Sequence, residues 1–207
     1  MSQLANLNLK QPEKVDWANF NPASKWNPPP PALDATGNAI VYSGTLPKEF
    51  KVEEDKDGFL QFLIDPITMA SGQTIRFVRA SVKLFQRGEK TINANKVGTL
   101  LRSAGIAAKP QTNEEYVAAM TAAAGRKVHF TIDWNAYNKD NQESVSGYTS
   151  FPEDPERPGQ RKAILKAGDV VTIRDFKGNI VETKTIVSEV LFANPQVRYF
   201  VDPTQKR

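Results

Sequence analysis

The residues with the most chemistry to offer run from Arg76 to Phe85. Read with the two-residue period of a β-strand, Val78, Ala80, Val82 and Leu84 make one apolar side, and Phe77, Arg79, Ser81, Lys83 and Phe85 make the other. Rings alternating with cations suit a polyanion that carries flat bases. Each base stacked on an exposed ring is worth about 1 to 3 kcal/mol, while Arg and Lys neutralise the phosphates between them. Duplex DNA would have little use for the rings. Arg76 and Arg87 flank the run, and Arg198 and Phe200 share one side of a strand near the C-terminus. The candidate nucleic-acid-binding set is therefore Arg76, Phe77, Arg79, Lys83, Phe85, Arg87, Arg198 and Phe200. The competing account has helices covering this face, with Phe77 and Phe85 in the core and Arg79 and Lys83 reaching to its edge.

The charge distribution points the same way. The formal net charge is only +4, yet from Arg76 to Arg102 there are seven Lys or Arg against the single acid Glu89. Pro47 to Asp65 has the opposite balance, with three Lys against six acids.

Catalysis finds less support. With no Cys and one His, the chain has no thiol nucleophile, disulfide framework or thiolate metal site, and a reducing, cytoplasmic setting is the simpler expectation. His129 stands on the polar side of a strand with no Ser or Cys motif beside it. No glycine-rich phosphate loop is present, so no cofactor is expected. Asp175 followed by Glu182 and Lys184 is the one pattern compatible with a metal-dependent nuclease, a minor alternative to a non-enzymatic protein. No run of about 18 apolar residues suggests a membrane span.

These residues must be positioned by a mainly β, α+β body. Residues 1 to 37 read as an arm: six prolines favour extended chain, and Trp17, Phe20 and Trp26 must dock, on the protein's own body or on a neighbouring subunit. Residues 38 to 207 read as one domain. Aromatic and β-branched runs separated by EEDKDG and SGQ predict a three-stranded antiparallel meander. Val97, Leu100, Leu101 and Ala104 predict a helix over 93–105, capped by Asn93 and ended by Gly105. Thr112 and Glu115 have the spacing of a capping box, opening a second helix that stops at Gly125. RKVHFTIDW alternates as a half-buried strand. Residues 138–161 read as a long exposed loop, followed by a hairpin and a closing strand at PQVRYFVDP.

This order of elements resembles the OB-fold, a five-stranded partly open barrel that binds oligonucleotides. The five strands would be Tyr42–Val52, Phe59–Ile67, Thr74–Phe85, Lys127–Trp134 and Val197–Val201, with a helical insertion and a long loop or hairpin before the last. More narrowly, LLRSAGI, the EEY helix, GRKVHFTIDWNAY and FANPQVRYFV look like phage or prophage single-stranded DNA-binding proteins. The resemblance implies largely sequence-independent binding of single-stranded DNA in phage replication or recombination, in the host cytoplasm. RNA stays open as a partner, because stacking and phosphate contacts do not read a 2′-hydroxyl. The tail DPTQKR departs from the acidic tail of bacterial single-strand-binding proteins, and the proline-rich arm is not explained by that family. The alternative is a virion or assembly protein, a homo-oligomer held through the arm.

Overall fold

The computed structural model of the 207-residue chain describes residues 4, 6–20, 40–137, 144–156, 158, 161–175, 179–187 and 191–204; of these, the side chains of 133–137, 144–150 and 191–194 lie outside the description. The described residues are mainly β with two α-helices. Strands β1 (Tyr42–Thr45), β2 (Lys51–Glu54), β3 (Leu60–Ile64), β4 (Ile67–Met69), β5 (Thr74–Ile75), β6 (Val78–Ser81), β7 (Leu84–Arg87) and β8 (Lys90–Asn95) precede helices α1 (Lys96–Ser103) and α2 (Asn113–Ala123). Strands β9 (Lys127–Tyr137), β10 (Ser144–Ser150), β11 (Ile164–Leu165), β12 (Val170–Arg174), β13 (Ile180–Thr185) and β14 (Leu191–Phe200) follow. No helix among the described residues is long and apolar enough to cross a membrane.

The chain forms two compact units, the first drawn from residues within 1–27, 43–130 and 199–207, the second from residues within 28–42 and 131–198. In the first, β2, β3 and β6 form the expected antiparallel meander, with Phe62 opposite Ala80 and Leu63 opposite Arg79. Its inner side holds Leu60, Phe62, Ile64, Val78, Ala80 and Val82, all buried. Burying such side chains contributes about 1.5 to 3 kcal/mol each, which fixes the register against a one-residue slip. Val97, Leu100, Leu101 and Ala104 of α1 are buried as their spacing predicts. The Thr112–Glu115 capping box opens α2, and Gly105 and Gly125 stand beyond the two helix ends in left-handed conformation. In the second unit β12 and β13 form the expected hairpin, β12 pairs with β10, and β11 pairs with β14 around Leu165, Val171 and Ile186.

Several elements differ from the expectation. The strands expected at 42–52, 59–67 and 74–85 are each divided, because Pro47 and Pro66 have no N–H for a ladder and Phe77 takes a left-handed backbone, φ +56°. The halves serve different ladders: β1 pairs with β4, whereas β2 pairs with β3. Helix α1 begins at Lys96, and its cap is Asn95, not Asn93. The preceding residues form strand β8, paired with β7. The loop expected at 138–161 contains β10, held between β9 and β12.

The N-terminal segment is a strap on the first unit as far as residue 20. Lys10 N–H donates to Gly58 O at 2.8 Å, Asn93 exchanges two hydrogen bonds with the Asp16 backbone, and Trp17 Nε1 donates to Pro110 O at 3.0 Å. Trp17 and Phe20 are buried and stacked, centroids 4.8 Å apart, with the Arg102 guanidinium 4.4 Å from the Phe20 centroid. Of the arm's aromatics these two dock on the chain's own body; Trp26 lies outside the described residues. Gly98 makes the seat, since a Cβ there would stand 2.7 Å from Phe20 and 3.0 Å from Trp17. Gly98→Ala is expected to lower stability by about 1 to 3 kcal/mol through overpacking. It should also raise amide exchange selectively in residues 10–17, as read by hydrogen-exchange mass spectrometry. Wild-type melting and protection in that variant would show that the strap does not depend on this contact.

Candidate nucleic-acid interface

The outer face of the β2-β3-β6 sheet carries Arg79, with Lys83 just beyond β6. Because Gln61 lies opposite both Glu53 and Ser81, while Leu63 lies opposite Lys51 and Arg79, the acidic strand β2 and the basic strand β6 flank the same two rows. The charge blocks that are separate in sequence therefore meet in space. Arg79 Nε lies 3.5 Å from Glu53 Oε2, and Lys83 Nζ donates to Asp57 Oδ2 at 2.7 Å. This hydrogen bond holds the Lys83 ammonium above its ordinary pKa. Both pairs are solvent-facing, and exposed pairs of this kind add little to stability and exchange readily for another anion.

Asp55 organises the turn beside them. Its Oδ1 accepts from the backbone N–H groups of Asp57 and Phe59, both at 2.9 Å, and its Oδ2 accepts from Ser81 Oγ at 2.6 Å. Burial alone would push this carboxyl up. The Ser81 hydroxyl, the two backbone donors and the nearby Lys83 outweigh burial and hold it below its usual value. Asp55 is thus committed to the fold.

The candidate residues fall into four groups. Phe77 is 60% exposed, and Arg76, Arg79 and Arg87 are exposed around it or along the same run. Arg76 and Arg87 make no ion pair among the described residues. Phe85 and Lys83 are half-buried and line, with Asp55, Gln61 and Arg79, an open groove of about 320 Å³. Arg198 is half-buried in the second unit and does not line this groove. Phe200 corrects the expectation of a ring beside a cation: it is 6% exposed and packs edge-on against Phe130, centroids 6.3 Å apart, so it is a core residue. The helices do not cover Phe77, while Phe85 is intermediate between the two accounts of this face.

One groove residue was not anticipated. Lys96 is the first residue of α1, half-buried, and no hydrogen bond or ion pair reaches its ammonium among the described residues. Burial pushes it down to about 8. The available signal was a cation at the start of a helix whose first turn has no acid, against the preference of the helix dipole. Elsewhere, Asp175 accepts from the backbone and side-chain nitrogens of Asn179 at 2.9 and 3.0 Å and so belongs to the β12–β13 turn. His129 contributes its backbone, exchanging hydrogen bonds with Ser103 Oγ.

No family model, curated protein or solved structure matches this chain.

The Asp55 arrangement has a pH signature. Its folded carboxyl titrates below the unfolded value of about 3.9, so its contribution to stability is complete well above that value and is lost as pH falls through the folded one. Ser81→Ala should bring the Asp55 titration, followed by carboxyl NMR, back toward the ordinary value. The same variant should melt at a temperature that depends less on pH between about 5 and 2. An Asp55 titration identical in the two proteins would remove the Ser81 hydroxyl as its cause.

Proposed function

We propose that this chain is a non-enzymatic single-stranded DNA-binding protein with an OB-like body, acting in phage replication or recombination in the host cytoplasm. The observation that carries the reading is Phe77. A large apolar ring stands 60% in water on a backbone at φ +56°, a conformation that costs a non-glycine residue about 1 to 2 kcal/mol. Neither feature helps the fold. An exposed ring with exposed Arg76 and Arg79 within two residues of it in sequence supplies the groups that base stacking and phosphate neutralisation require. Binding of this kind is largely independent of sequence, because every base has a flat face.

The assembly reading has less to draw on. The arm aromatics that were to embrace a neighbour include Trp17 and Phe20, and both are buried in the strap's own seat.

The test is fluorescence-anisotropy titration of a labelled 12-nucleotide oligo-dT against a 12-base-pair duplex and a matched oligo-U, at two salt concentrations. Tight, salt-dependent preference for the single strands is expected, and oligo-U decides whether RNA is also accepted. Phe77→Gly separates function from fold: it removes the ring and relieves the backbone together. Its stability should be unchanged or higher by up to about 1 kcal/mol, while oligo-dT binding weakens by about 1 to 3 kcal/mol, fivefold or more. No binding of any single strand by the wild-type protein at low salt would overturn the reading. Equal binding by Phe77→Gly would remove the stacking role.

A further inference from the structure

We infer that Lys96, where it lines the groove beside Phe85, is the seat for one phosphodiester of the bound strand; this rests on the single-strand reading above and names the contact that reading lacks. Charge matching inside a single compact region carries this assignment. Three cations line the groove: Arg79, Lys83 and Lys96. Arg79 faces Glu53, and Lys83 is hydrogen-bonded to Asp57. The remaining acids nearby are already engaged. Asp55 accepts from Ser81, Asp57 and Phe59, and Glu13 of the strap accepts from Leu84 N–H at 3.3 Å. Among the described residues this leaves Lys96 as the lining cation with no counter-charge.

Its position is unfavourable for the fold. An ammonium half-withdrawn from water without a partner loses hydration and gains nothing in exchange. At the first position of α1 it also faces the positive end of the helix, whose first turn has no acid to soften it. An anion in the groove would give the Lys96 ammonium the counter-charge it lacks among the described residues. A phosphodiester chain fits better than a lone carboxylate side chain, because Arg79 and Lys83 line the same groove and can take the neighbouring phosphates. The ion pairs of Arg79 and Lys83 stand at the same groove, ready to exchange their carboxylates for neighbouring phosphates.

Lysine-selective 13C,15N NMR on the full-length wild-type protein tests this directly, by following the Lys96 ammonium against pH alone, with oligo-dT, and with inorganic phosphate. Free, it should titrate near 8. With saturating oligo-dT the midpoint should rise by about one unit or more, since a nearby anion favours the charged form. Lys96→Gln should weaken oligo-dT binding about threefold or more and reduce the slope of log affinity against log salt by about 0.7. The exposed Lys109→Gln serves as the comparison, with a smaller loss. Binding of oligo-dT with an unmoved Lys96 titration overturns the seat and leaves the single-strand reading standing. A Lys96 titration that moves with inorganic phosphate and not with oligo-dT also overturns it, assigning the groove to a free anion. Failure of the wild-type protein to bind oligo-dT at all overturns both.

Discussion

The first unit is organised around one buried amide. Asn95 is fully buried; its Oδ1 accepts from Gly98 N–H at 2.7 Å and its Nδ2 donates to Tyr116 Oη at 2.9 Å. One side chain thereby ends β8, starts α1 and ties α1 to α2. Both of its polar atoms are satisfied where an unmade hydrogen bond would cost about 1 to 3 kcal/mol. Burial and the Asn95 bond together set the Tyr116 hydroxyl, burial being the larger influence and raising its pKa. The choice of start point has further effects. It places Gly98 under Trp17 and Phe20, Ser103 against the His129 backbone and Lys96 at the groove. A helix begun two residues earlier would lose all three placements.

The groove is assembled from parts with opposite tendencies. Asp55, Glu53 and Asp57 arrive on β2 and its following turn, Arg79 and Lys83 on β6 and just after it. Antiparallel pairing through β3 brings them to one face. The acids hold the cations in place in solvent, where each pair is cheap to break. Phe77 stands apart from this economy of paired charges, with neither burial nor backbone comfort to account for it.

Much of this was legible in the sequence. The apolar side from Val78 to Leu84, the buried stripe of α1, the capping box of α2 and the β12–β13 hairpin follow from periodicity and local chemistry. What was not legible depends on tertiary partners. The alternation from Arg76 to Phe85 continues undisturbed past Phe77, so nothing in its period reveals a left-handed residue. Asn93 and Asn95 are equally good caps by type; the strap takes Asn93 by binding it through Asp16, and Asn95 remains for the helix. Ser144 to Ser150 has weak strand propensity and becomes β10 through pairing with β9 and β12. The basic residues around the groove were visible, but that Lys96 lacks a counter-charge among the described residues depends on which acids the fold engages elsewhere.

The closing contacts of the first unit come from far along the chain. Val201 N–H donates to His129 O at 2.8 Å, and Phe200 lies against Phe130. Residues 131–198 therefore leave and return at neighbouring points of the backbone, near residues 130 and 199. A segment whose two ends are held together tolerates changes of length, because closing a longer loop costs only about 0.6 kcal/mol per doubling. Lengthening the segment that carries β10 to β13 therefore adds little to the entropic cost of closing it between residues 130 and 199.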